Sequence, residues 1–146
     1  MYEQYWGFTK KPFENTPDPE FLYLSSQHEE ALARLMYAIR ERKGAAFLTG
    51  VFGCGKTVLG QALLRNLSED RYSIAFINYP LLSHVEFLMA IAKSLGSRDL
   101  PTKKTEVLTN LVLDSLNSVL LNNARDGKDS VIIIDEAHII EDMQIF

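Results

Sequence analysis

The chain alternates between two patterns of apolar residues, and each change of pattern marks a new element. Short runs rich in β-branched and aromatic residues predict strands at residues 45–49, at residues 73–78 and from Val131 onward. Between these runs, apolar residues recur three and four positions apart, which is the spacing of one helix face. Strands that alternate with helices through short loops predict an α/β fold, a three-layer sandwich around a parallel sheet.

Polar residues mark the ends of the predicted helices. A serine followed three residues later by a glutamate forms a capping box at a helix start. Two such pairs occur, Ser26 with Glu29 and Ser83 with Glu86. A further, long helix is predicted over residues 105–125. A glycine just past the last apolar residue ends a helix, and the predicted ends are Gly44, Gly96 and Gly127.

The segment GVFGCGKT, residues 50–57, fits the phosphate-loop pattern G-x-x-x-x-G-K-[ST] and lies between a predicted strand and a predicted helix, as that pattern requires. Glycines let backbone N–H groups turn inward around an anion, and the next helix offers its N-terminus. Lys56 is expected to reach the β- and γ-phosphates, and Thr57 to give its hydroxyl to Mg²⁺. The predicted nucleotide-binding residues are Gly50, Val51, Phe52, Gly53, Cys54, Gly55, Lys56, Thr57 and Val58.

Two carboxylates follow the last predicted strand, in the segment VIIIDEAH at residues 131–138. Four β-branched residues in a row predict a strand buried on both faces of a parallel sheet, and ligands bind at the carboxyl ends of such strands. Asp135 is expected to hold Mg²⁺ through water, and Glu136 to orient and deprotonate the attacking water. Glu136 and Lys56 are thus the predicted catalytic residues. A solvated acidic turn is the alternative.

Composition is consistent with one domain over residues 1–146, made of a strap at 1–24 and an α/β core at 25–146. The 146 residues are 47% hydrophobic and 23% charged, and no apolar run is long enough to cross a membrane. Cys54 is the single cysteine, which excludes an internal disulfide and fits a reducing compartment. The net charge of −4, without a basic stripe, does not by itself favour nucleic-acid binding.

The first 24 residues differ in composition from the rest. They contain seven aromatic residues together with Pro12, Pro17 and Pro19. Such a segment is predicted to be neither a helix nor a disordered tail, so we expect an ordered strap on the domain.

Three segments resemble those of the AAA-type P-loop ATPases of the general secretion pathway protein A group. They are residues 5–39 (YWGFTKKPFENTPDPEFLYLSSQHEEALARLMYAI), the phosphate loop and VIIIDEAH. The first is the most specific, because phosphate loops are widespread. By this resemblance the loop is a Walker A motif, Asp135 and Glu136 belong to Walker B, and the residues around Phe21 and Tyr23 would lie near the adenine unless they are core residues.

The resemblance also implies elements that the chain does not contain. In this family the sheet order is 5-1-4-3-2, so a fourth strand would lie between the strands predicted from Val131 and at residues 45–49. We therefore expect a sheet truncated before the fourth and fifth core strands, without the sensor residue, the arginine finger and the helical lid. A different strand pairing or a second chain could also account for the gap, but a fragment is favoured because EDMQIF ends without a helix stop.

The function implied by the resemblance is that of an ATPase with ATP and Mg²⁺ as cofactors. It implies a bacterial secretion or envelope-assembly system with a protein partner, and a cytoplasmic module whose full-length protein is a homo-oligomer associated with the inner membrane. Two alternatives stay open: a module that binds nucleotide with little hydrolysis, and a DNA-transposition helper ATPase, which would need a basic surface. The string DEAH also marks a class of helicases, which the N-terminal block does not resemble.

Three polar residues near the predicted site have two interpretations each. Cys54 is either an oxidation-sensitive thiol at a helix N-terminus or a small side chain that the loop tolerates. Asn78 either contacts the γ-phosphate or caps the next turn. For His138 we expect a local hydrogen-bonding or packing role.

Overall fold

The computed structural model describes residues 2–11, 20, 22–78, 82–98 and 108–140, which divide into two compact units. The first unit is Met1–Asn66 and the second is Leu67–Phe146. Regular structure in the first unit is helical over its described residues, whereas the second contains two parallel strands. The single domain over residues 1–146, with its strap and core, stays a prediction.

The described residues of the first unit contain three α-helices: α1 (Tyr2–Trp6), α2 (Ser26–Arg40) and α3 (Lys56–Asn66). Helix α2 contacts α3. The apolar face predicted for α3 is confirmed, because Leu59 and Leu63 are buried there at the expected spacing of four residues.

Helix α1 contradicts the prediction that the first 24 residues contain no helix. Residues 2–6 include no proline, so nothing in their sequence interrupts a helical turn. The helix ends at Gly7, which adopts a left-handed φ of +68°, and the Phe8 N–H donates to the Glu3 carbonyl at 2.8 Å. Pro12, Pro17, Pro19 and Phe21 lie outside the described residues.

Both predicted ends of α2 are displaced. The N-cap is Ser25, not Ser26, and its Oγ accepts from the His28 N–H at 3.4 Å. Two adjacent serines offered two possible caps, and the backbone of Ser25 has the extended conformation that a cap requires. The helix ends at Arg40, and Arg42, not Gly44, takes the left-handed conformation that follows, with φ of +51°.

The strand predicted at residues 45–49 is wrong. This segment has no regular secondary structure, and the side chain of Phe47 is 85% exposed. A strand is stabilised by the backbone hydrogen bonds of a neighbouring strand. No such neighbour pairs with residues 45–49 in the described ranges, so their apolar composition alone does not make a strand.

The second unit has the order β1 (Tyr72–Ile77), α4 (His84–Ser94), α5 (Leu108–Arg125) and β2 (Asp129–Ile134), followed by a 3₁₀ turn at Ala137–Ile139. The two strands pair in parallel, from Tyr72 opposite Asp129 to Ile77 opposite Ile134. Two of the three predicted strands are thereby confirmed, and they are neighbours, as the resemblance implied. Parallel neighbours need a crossover, which α4 and α5 provide.

The predicted ends of α4 are confirmed in detail. The Ser83 side chain accepts from the Glu86 N–H, and the Glu86 carboxylate accepts from the Ser83 N–H at 3.2 Å, which completes the capping box. Leu95 is the C-cap, and Gly96 follows it with φ of +103°. The described part of the long helix also ends as predicted, at Arg125 before Gly127.

One apolar cluster fills the second unit between the strands and the crossover helices. Its buried members are Ala75, Ile77, Phe87, Ile91, Leu95 and Val119. Strand β2 is less buried than predicted: Ile134 packs against the cluster, but Ile132 is 47% exposed. The reason is that β2 has one strand neighbour, β1, among the described residues, and burial on both faces needs a wider sheet with its covering helices.

Candidate nucleotide-binding site

The phosphate loop leads from the irregular segment at residues 45–49 into α3. Gly53 and Gly55 adopt φ of +80° and +86°, a region that glycine enters without steric cost. Helix α3 starts directly after Gly55, whose carbonyl accepts the Leu59 N–H at 2.8 Å. The first N–H groups of a helix have no partner within it and carry the positive end of its dipole. The loop thus ends in backbone donors suited to a phosphate.

Lys56 folds back onto the first residues of the loop. Its ammonium group donates to the Gly50 carbonyl at 3.1 Å and to the Val51 carbonyl at 3.0 Å. The ammonium charge is therefore held against the loop backbone. Hydrogen bonds between ammonium and phosphate are stronger than those to neutral carbonyls, so phosphate oxygens could replace these acceptors.

Gly50 and Cys54 fit each other closely. A Cβ atom added at Gly50 would lie 2.7 Å from the Cys54 sulfur, well inside contact distance. The Cys54 N–H donates to the Val51 carbonyl at 3.4 Å, which forms the turn that brings the two residues together. The half-buried thiol thus fills the space that the first glycine leaves open, which supports the packing interpretation of Cys54. Its sensitivity to oxidation stays a prediction.

The other predicted loop residues divide by exposure. Val51 and Phe52 are exposed, whereas Thr57 and Val58 are half-buried in the first turn of α3. Thr57 therefore stands at the start of the helix, where a hydroxyl could meet a metal beside the bound phosphates. That role stays a prediction.

His28 of α2 contacts the loop, and the sequence patterns did not predict it. Its Nε2 atom lies 2.9 Å from the carbonyl oxygen of Cys54. The signal that could have identified it is its place in the N-terminal block that carried the family resemblance, since neither charge nor periodicity distinguishes it.

In the second unit, the acidic residues follow β2 directly. The Asp135 N–H donates to the Ile77 carbonyl at 2.8 Å, which extends the ladder by one bond. The Glu136 N–H then donates to Asp135 Oδ1 at 3.0 Å, and the Glu136 backbone turns left-handed, with φ of +52°. Such backbone in a non-glycine residue is unfavourable by about 1–3 kcal/mol and is concentrated at functional sites. The sequence analysis did not predict this turn.

The carboxylate of Glu136 has a partner in the 3₁₀ turn. His138 Nδ1 lies 3.3 Å from Glu136 Oε2, which confirms the local polar role expected for His138. Most of the His138 side chain is exposed, so it has no packing role. Asn78, just after β1, is also exposed, and its contact with a phosphate stays a prediction.

The oxygen donors predicted for Mg²⁺ are the hydroxyl of Thr57 and the carboxylate of Asp135, and each is of a type that Mg²⁺ prefers. No cluster of three potential metal ligands occurs among the residues that the structure describes. Mg²⁺ usually binds through one or two protein groups plus substrate phosphates and water, and does not require such a cluster.

Within the described ranges, every helix is too short or too polar to cross a membrane.

Comparison with known proteins gave one family and one curated relative. A family model described as an AAA domain matches residues 39–146, which include the phosphate loop and both acidic residues. General secretion pathway protein A of Aeromonas hydrophila is 39% identical over 137 residues, which cover 94% of this chain and 24% of that protein. The chain therefore spans about a quarter of the length of this relative. No solved structure gave a significant match.

Proposed function

The chain belongs to the AAA domain family, in the group of general secretion pathway protein A, and has the α/β P-loop fold of that family; on this premise we propose that it binds ATP with Mg²⁺ and hydrolyses it. The binding residues are those of the loop from Gly50 to Val58. Asp135 and Glu136 supply the carboxylates.

The observation that carries this proposal is the conformation of the phosphate loop. Three features support binding of a polyphosphate: glycines with positive φ, helix N–H groups at the end of the loop, and the Lys56 ammonium group held against the loop by the carbonyls of Gly50 and Val51. Val51, Phe52, Cys54 and Val58 contribute backbone to the same cradle.

For hydrolysis, the chain needs groups that balance charge and move a proton. Thr57, through its hydroxyl, and Asp135, through water, would hold Mg²⁺, which would supply charge neutralisation for the phosphates. The Glu136 carboxylate orients the attacking water and accepts its proton, while Lys56 stabilises charge on the transferred phosphoryl group. The contact between His138 and Glu136 would limit the rotation of that carboxylate before water binds.

The cellular role is proposed from the similarity to General secretion pathway protein A. The name of the relative, General secretion pathway protein A, favours a cytoplasmic ATPase module that acts on a protein partner in secretion or envelope assembly. Members of AAA-type families act as homo-oligomers, which we propose for the full-length protein. The net charge of −4 disfavours the alternative of a DNA-transposition helper. In a filter-binding test we expect the protein to retain no DNA, whereas a transposition helper would retain it.

The test is ATP binding and turnover by the chain, with Lys56→Ala compared with Lys43→Ala. Both variants remove one lysine from the first unit, but Lys43 lies after α2, with its ammonium group 5.7 Å from the Tyr37 ring centroid. We expect Lys56→Ala to lower turnover by about 10²-fold or more, because a preorganised charge at the reacting phosphate is lost. Lys43→Ala should match the wild type.

Two other outcomes are informative. Binding that depends on Lys56 without measurable turnover would favour the nucleotide-binding module with little hydrolysis. Equal behaviour of Lys56→Ala and the wild type would contradict the proposed function.

A further inference from the structure

His28, a residue of α2 outside both Walker motifs, contacts the phosphate loop. Its imidazole Nε2 lies 2.9 Å from the carbonyl oxygen of Cys54, and a Cβ atom added at Gly55 would lie 3.4 Å from the same nitrogen. The ring is therefore seated against the peptide that joins Cys54 to Gly55. This contact links two segments that are 26 residues apart in the chain.

The hydrogen bonds around His28 determine which nitrogen carries the proton in the neutral ring. A carbonyl oxygen only accepts, so Nε2 must donate to Cys54. Nδ1 then accepts, and its partner at 2.8 Å is the Oγ of Ser25, whose hydroxyl donates. The same Oγ accepts from the His28 N–H at 3.4 Å. The N-cap of α2 thus orients the ring that contacts the loop.

The bond to Cys54 also orients a second group. All peptide bonds over the described residues are trans, so the carbonyl of Cys54 and the N–H of Gly55 point in opposite directions. While the carbonyl points at His28, the Gly55 N–H points away from it. Without the imidazole, a flip of this peptide would cost little free energy, because Gly55 can take φ of either sign. A flipped peptide would present a carbonyl oxygen, which repels phosphate, where an N–H belongs.

We propose that His28 is a positioning residue for nucleotide binding: it holds the Cys54 carbonyl outward so that the Gly55 N–H donates to a phosphate of the nucleotide. This inference rests on the proposed function of the loop. His28 itself touches neither the nucleotide nor the reacting atoms. Its effect passes through the orientation of one peptide, with Ser25 fixing its tautomer.

The test compares variants of His28 that keep or lose the donor. In His28→Gln, the side-chain amide nitrogen lies the same number of bonds from Cα as Nε2 and can donate, whereas His28→Leu cannot. Gln27→Ala, at an exposed position of the same helical turn, is the matched control. Titration calorimetry with the non-hydrolysable analogue AMP-PNP and Mg²⁺ gives the affinity, and the ¹H–¹⁵N spectrum gives the response of the Gly55 amide.

His28→Leu should weaken analogue binding by about fivefold to tenfold, the scale of one net hydrogen bond, and should abolish the large shift of the Gly55 amide on binding. His28→Gln should recover most of both effects, and Gln27→Ala should match the wild type. A role of His28 in stability alone would change the thermal midpoint but leave the Gly55 shift of the folded protein intact, which would overturn the inference.

Failure of the proposed function and failure of the inference about His28 give different results. Wild-type protein that does not bind the analogue would overturn the proposed function and this inference together. Binding that depends on Lys56 but is unchanged in His28→Leu would overturn the inference alone. If His28→Leu does not fold, the ¹⁵N shifts of the wild-type imidazole decide: an Nε2–H tautomer supports the inference, and an Nδ1–H tautomer overturns it.

Discussion

The two units hold their candidate residues by different means. In the second unit, Asp135 continues a parallel ladder whose strands lie on a buried apolar cluster. In the first unit, α2 has no buried residue and the segment before the phosphate loop has no strand partner among the described residues. The loop depends instead on the side-chain hydrogen bonds of Lys56 and His28 and on two glycines with positive φ. The acidic residues are thus positioned by a core, and the loop by local contacts.

Under the proposed function, the phosphate loop of the first unit binds nucleotide and Glu136 of the second unit activates water. Glu136→Gln tests this division of roles and has the largest expected effect. The substitution keeps the shape of the side chain and removes the proposed base, so turnover should fall by about 10²–10⁴-fold while ATP affinity stays unchanged. Steady-state turnover and calorimetry measure the two quantities. Glu69→Gln, at an exposed turn of the same unit, removes the same charge and should have no effect. A parallel loss of affinity would assign Glu136 to binding.

A pair of phenylalanines tests the contrast between buried core and unpaired segment. Phe87 is 3% exposed within the apolar cluster, and Phe47 is 85% exposed before the phosphate loop. We expect Phe87→Ala to lower the free energy of unfolding by about 3–5 kcal/mol, because it leaves a cavity. Phe47→Ala should change it by less than about 0.5 kcal/mol. Urea unfolding followed by circular dichroism measures both, and comparable losses would mean that residues 45–49 are packed in solution.

A pair of glycines tests whether backbone conformation maintains the loop. Their substitution has the smallest expected effect of the three comparisons. Gly53 has φ of +80°, so a Cβ atom there strains the backbone by about 1–2 kcal/mol although the space around it is open. Gly60 lies within α3, also in open space, and Gly60→Ala should stabilise the helix by up to about 1 kcal/mol. Gly53→Ala should therefore weaken nucleotide binding by up to about tenfold, and Gly60→Ala should not. Equal affinities would show that the left-handed turn is dispensable.

Sequence patterns predicted the elements whose stability is mainly local. The α4 capping box of Ser83 and Glu86 occurs as predicted, because its hydrogen bonds join residues three positions apart. The α2 cap was displaced by one residue, because neighbouring serines are equivalent until the backbone selects one. The prediction of a strand at residues 45–49 was wrong for the opposite reason. Strand formation depends on a partner strand that is distant in sequence, and composition does not show whether such a partner is present.

The candidate site shows the same division. The sequence by itself determined the family and predicted the phosphate loop and the two carboxylates, because these depend on residue types at fixed spacing. Only the tertiary structure placed His28 on the Cys54 carbonyl, the Lys56 ammonium group on the Gly50 carbonyl and Glu136 in a left-handed turn beside His138. These contacts depend on backbone direction and on side chains brought together by folding, whereas a motif records only which residues follow one another.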